Sequence, residues 1–83
     1  MNLYDFSLLA DHEQINVLYK DGVFIGKRKL GNETVILYQV ESFYVEIFYR
    51  KYRCFIAKIN CFTSVDLIAP YLSQVNVAEL LNV

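Results

Sequence analysis

The chain reads as an α+β domain: an N-terminal helix, a four-stranded antiparallel β-meander, then one or two short C-terminal helices. Three observations predict it. From Val23 onward, aromatic and β-branched residues recur with a period of two, the pattern of strands. The links between these runs are too short for crossover helices, so neighbouring strands run antiparallel. The flanking segments carry apolar residues at helical spacing behind residues suited to helix caps.

Asp11 with Gln14 resembles a capping box and predicts a helix from about His12 to Lys20. Ile15, Leu18 and Tyr19 give it an apolar stripe, and Gly22 falls where a left-handed residue commonly ends a helix. Upstream, Leu3, Tyr4, Phe6, Leu8 and Leu9 are too apolar for a loose tail and predict a packed lead-in or a short extra turn. Strands follow at about 23–30, 34–40, 43–50 and 54–62, with links around Gly31-Asn32, Glu41-Ser42 and Lys51-Tyr52.

A two-residue link at Glu41-Ser42 sets Val40 against Phe43, Tyr38 against Val45 and Ile36 against Ile47, which makes one face apolar. A three-residue link at 51–53 would set Tyr49, Ile47, Val45 and Phe43 against Phe55, Ala57, Ile59 and Cys61, with Glu46 opposite Lys58 on the other face. After the sheet, Thr63 and Asp66 fit a capping box, with Phe62 and Leu67 as its staple. That helix should break or kink near Pro70, which lacks the backbone N–H of an interior position. Asn76 and Glu79, flanked by Val75 and Leu80, predict a last turn over 77–81.

With 83 residues the chain is expected to build a single domain spanning 1–83, and 55% apolar content predicts that it folds. The longest apolar runs are far shorter than the ~18 residues a membrane helix needs, and no signal peptide is recognisable in the first residues. These features predict a soluble cytoplasmic protein that does not engage a membrane. Cys54 and Cys61 lie in one predicted strand, with Cα atoms about 23 Å apart and side chains on opposite faces. They cannot pair with each other, and two such thiols fit a reducing compartment.

Net charge is −1, yet all eight Lys and Arg fall between Lys20 and Lys58 with only four acidic residues, giving that segment +4 and the flanks −5. Such segregation can steer a partner or hold the flanks against the sheet.

No residue set in the sequence assembles a catalytic centre. His12 is the lone histidine, the glycines are spaced as turn and stop signals, and neither a metal-ligand spacing nor a cofactor motif is present. The expectation is a non-enzymatic module without metal or cofactor. The second sheet face, with Val35, Leu37, Tyr44, Phe48 and Ile56 among Arg28, Arg50, Glu46 and Lys58, mixes apolar, aromatic and arginine residues as interfaces do. Phe24 joins it if Gly31-Asn32 is a two-residue turn. The alternative is that the C-terminal helices fold over this face and complete the core.

The string Gly22-Val23-Phe24-Ile25, then Arg28, Gly31, Val35-Ile36-Leu37-Tyr38 and Phe43-Tyr44-Val45-Glu46-Ile47, followed by Phe62, Ser64 and Pro70-Tyr71-Leu72, resembles a group of short uncharacterised bacterial proteins. The likeness covers about residues 15–82. It implies a bacterial cytoplasmic setting and a compact stand-alone domain, and it assigns no activity and no functional residue. The chain departs from it at Arg50-Lys51-Tyr52-Arg53, where acidic or Asn-rich turn residues would be expected.

The preferred expectation is therefore an interaction module, homodimeric through the second sheet face or an exposed edge strand, or paired with another protein. On that reading Tyr44, Phe48 and Ile56 form the centre of the interface, and Phe48→Glu should give a folded monomer. One alternative is single-stranded nucleic acid bound by stacking on Tyr44 and Phe48, with Arg50, Lys51 and Arg53 as a basic patch; the slightly negative net charge argues against it. A second alternative is a small molecule bound between the sheet and the C-terminal helices.

Overall fold

The computed structural model describes residues 1–50 and 55–74. Helix α1 (Leu3–Ser7) and helix α2 (Asp11–Asp21) precede strands β1 (Val23–Leu30), β2 (Glu33–Val40), β3 (Phe43–Arg50) and β4 (Phe55–Phe62), and a 3-10 helix, η1 (Val65–Gln74), follows. The strands lie in the order β1-β2-β3-β4, each antiparallel to the next. This is the α+β meander expected. The last turn expected over 77–81 lies outside the described residues.

The apolar lead-in forms α1, capped by Asn2, whose Oδ1 accepts from the Asp5 N–H at 2.8 Å. Helix α2 starts one residue earlier than expected, because Glu13 rather than Gln14 reaches back and accepts the Ala10 N–H at 3.1 Å. Gln14 is instead buried, and its amide donates to the Phe6 carbonyl at 2.9 Å, tying α2 to α1. Gly22 is not left-handed: it is extended at φ −76 and ψ 139. Glycine is required there by space, since a Cβ would stand 2.6 Å from the Leu18 carbonyl oxygen.

The β2–β3 register is the expected one, with Val40 opposite Phe43, Tyr38 opposite Val45 and Ile36 opposite Ile47. Between β3 and β4 the register differs by two residues over most of the pairing: Ile47 meets Ile59, Val45 meets Cys61, Glu46 meets Asn60 and Phe48 meets Lys58. Residue 50 pairs with residue 55, so the connection is one residue longer than expected, and a bulge at Ala57 adds the second. Past the bulge the alternation inverts, and Ile56 pairs with Tyr49, a residue of the first face. A bulge in β1 at Ile25 likewise sets Phe24 against Tyr38, edge to face at 6.3 Å, away from the second face where it was expected.

Each face of the sheet has its own cover. On the first, Phe6 of α1 and Leu18 of α2 pack on Val40, Phe43, Val45 and Ile47, with the Phe6 and Phe43 rings 5.3 Å apart. On the second, Ile68 and Tyr71 of η1 pack on Val35, Leu37, Phe48 and Phe62. The segment after β4 thus closes the second face within the chain. It does so as a 3-10 helix running through Pro70. Asp66 N–H donates to Ser64 Oγ at 3.3 Å and Leu67 N–H to the Ser64 carbonyl at 3.2 Å, so Ser64 rather than Thr63 organises the start.

Candidate functional site

Two regions carry the polar and exposed groups that packing alone does not require: a charged cluster under η1, and the two edges of the sheet.

The cluster is centred on Glu46, which β3 directs onto the second face and η1 covers until the residue is only 6% exposed. Tyr71 is fully buried, and its hydroxyl donates to Glu46 Oε2 at 2.7 Å. Arg28, projecting from β1, donates from Nε to the Tyr71 hydroxyl oxygen at 3.2 Å and from Nη2 to Glu46 Oε2 at 3.4 Å, with its guanidinium 5.5 Å from the Tyr71 ring centre. Asn60, opposite Glu46 on β4, donates to Oε1 at 3.1 Å. Burial, and next the bond to Glu46, push the Tyr71 hydroxyl up to about 12. The bond to Tyr71, working against desolvation and aided by Glu46, holds Arg28 above its ordinary value. A tyrosine so raised stays protonated and acts as a donor, which suits it to pin a cover rather than to serve as a base.

The residues expected to form an interface are mostly core. Val35, Leu37 and Phe48 are buried beneath η1, and Tyr44 is half-buried with its ring stacked on Phe62 at 5.6 Å. Phe48 carries the Lys58 ammonium 4.8 Å from its ring centre, so Lys58 pairs with Phe48 and not with Glu46 as expected. The closed second face therefore offers neither a flat dimer surface nor a stacking platform. Ile56 alone of the five is exposed, at 36%, and it stands on β4 apart from the others. In the basic patch, Arg50 is exposed and bonded to Glu33 at 3.4 Å; Lys51 and Arg53 lie outside the described residues. The space between sheet and η1, where a small molecule was considered, is occupied by Ile68 and Tyr71.

The sheet has two edges of different chemistry. Edge strand β1 carries Lys27, Arg28 and Lys29 in succession, with a glycine and a bulge before them. Edge strand β4 carries a single charge over its eight residues, Lys58, and that ammonium lies over Phe48. Lysines and bulges protect an edge from further pairing; β1 has a bulge and two lysines, and β4 a bulge and one lysine, whose ammonium lies over Phe48.

Among the described residues no group of three metal-ligating side chains occurs, and no helix is long and apolar enough to cross a membrane. A cleft of ≈ 230 Å³ beside Lys27, Arg28, Lys29 and Thr34 touches the Glu46 cluster only at Arg28, and a wider hollow beside Leu30, Asn32, Glu33 and Arg50 shares no residue with it. No protein-family model, no curated protein and no solved structure matches the chain.

Sequence reasoning named Glu46 and Arg28 but not Tyr71 and Asn60 as their partners. The available signal was Ile68 and Tyr71 three residues apart after the sheet, a spacing that puts an apolar side chain and a hydroxyl on one helical face.

Proposed function

We propose that the protein is a non-enzymatic interaction module that works through the β4 edge, by accepting an additional strand. The observation that supports this reading is the difference between the two edges: β1 carries two lysines, Lys27 and Lys29, either side of the Glu46-bound Arg28, while β4 is a long strand with one charged residue, Lys58, whose ammonium lies over Phe48. Ile56, the exposed residue of the interface set, lies on that strand. Backbone N–H and C=O groups along an open edge supply the affinity in strand addition, and side chains alternating above and below supply the selectivity.

A cytoplasmic, bacterial setting belongs to the same proposal. Cys61 is free, and burial pushes its thiol up, which favours the protonated form that a reducing compartment preserves.

The test is amide hydrogen exchange on Ile56→Lys, whose added cation keeps partner strands off. Alternate amides of β4 should exchange much faster than those of β2 and β3. Uniform protection along β4 would mean that the edge is already covered, and the reading would be lost.

A further inference from the structure

We propose that the strand added to β4 is β4 of a second copy, in an antiparallel pairing whose two-fold axis passes through Ile59. The inference rests on the strand-addition reading and supplies its partner.

Residues that face one another across an antiparallel seam must point to the same side of the sheet. The sides are fixed by what each residue meets in its own chain. Ile56 pairs with Tyr49 and Cys61 with Val45, both on the first face. Ala57 packs into the second-face cluster and Asn60 bonds to Glu46 there. An axis through Ile59 sets Ile59 opposite itself, Asn60 opposite the bulged pair Ala57 and Lys58 of the second copy, and Ile56 opposite Cys61, with every one of these side chains matched to its own side. It pairs the strand over its whole length, from residue 55 opposite residue 62. Without the bulge the same axis would oppose Ile56 of the first face to Phe62 of the second. Moving it onto Lys58 opposes like charges, which is destabilising across a seam. The bulge at Ala57 shifts the alternation once, and that shift makes the strand complementary to itself.

Charge selects the same edge. In the equivalent symmetric pairing of β1, four lysines from the two copies would share one seam, besides Arg28, which is paired with Glu46; in that of β4 there are two, each 4.8 Å from the Phe48 ring centre of its own chain. Helix α1, which meets β4, also leaves Tyr4 and Leu8 largely exposed at i and i+4, so apolar surface extends beyond the strand on that side of the molecule.

Two measurements test this. Light scattering over a concentration series should give twice the 9.7 kDa chain mass for the wild type and the single mass for Ile56→Lys. The register is read by Ile56→Cys in a Cys54→Ser background, oxidised with glutathione disulfide: position 56 of one copy should join Cys61 of the other, because directly opposed residues lie within disulfide reach. A wild-type chain of single mass at every concentration would remove the second copy as the partner. A dimer that never joins position 56 to position 61 would overturn the register. A single-mass chain whose β4 amides still exchange rapidly would leave the strand-addition reading standing with a different partner. Protection of those amides in Ile56→Lys would remove both.

Discussion

Both faces of the sheet carry a buried apolar cluster, but the second also carries charges, and the two are closed by different means. On the first, Phe6 and Leu18 from two α-helices meet Val40, Phe43, Val45 and Ile47, and the buried amide of Gln14 bonds helix to helix rather than helix to sheet. On the second, a 3-10 helix lies over Val35, Leu37, Phe48 and Phe62 and is fixed by a hydroxyl to a buried carboxylate. A 3-10 run of ten residues through a proline draws little from its own hydrogen bonds, since such runs rarely exceed ~3–4 residues. Contact with the sheet holds it. Apolar area therefore decides that each face is covered, whereas Glu46 decides by what: any cover of the second face must bring a donor to that carboxylate.

Removing a large ring from the first face gives the largest expected loss. Phe43→Ala should cost about 3–5 kcal/mol, because the buried ring leaves a cavity among α1 and three strands, and chemical denaturation would record it. Glu46→Ala should cost about 3 kcal/mol by stranding Tyr71, Arg28 and Asn60 without their acceptor, an effect the first face has no residue to reproduce. Tyr71→Phe keeps the ring and loses only the pin, for about 1–3 kcal/mol, with increased exchange in η1 and the adjoining part of β1. Gly22→Ala should cost about 1–3 kcal/mol through the clash with the Leu18 carbonyl and should loosen α2 alone.

Alkaline titration sharpens the same contrast. Tyr71 is raised from 10.0 to about 12, so the folded chain holds this proton more tightly than the unfolded one. Its contribution to stability is complete below pH 10 and is lost as pH rises through 12. Tyr71→Phe should remove that dependence, and a Tyr71→Phe chain whose alkaline profile overlays the wild type would show that the hydroxyl is not the pin.

Much of this was legible in the sequence. The strand boundaries follow from period two and short turns, and the β2–β3 register follows from the two-residue link at Glu41-Ser42. The β3–β4 register was not, because sorting side chains onto faces fixes only odd against even. A slip of two residues leaves every side chain on its face, and the expected Glu46–Lys58 pair met that criterion as well as the observed Glu46–Asn60 and Phe48–Lys58 pairs do. The bulge at Ala57, which moves Ile56 to the other face, has no signal in Phe55-Ile56-Ala57-Lys58. Interface composition misled for a related reason. Aromatic, aliphatic and arginine side chains mark a surface that will be buried, without saying whether the cover comes from the same chain, and here Ile68 and Tyr71 supply it.

The claim that both faces close within one chain is tested most directly by the thermal unfolding of Phe48→Glu, followed by far-ultraviolet circular dichroism. Phe48 is buried under η1, so replacing its ring with a carboxylate should lower the transition steeply even with Lys58 opposite, because the packing with Ile68 and Tyr71 is lost. A folded Phe48→Glu chain with a wild-type transition would contradict the account and return the second face to the surface.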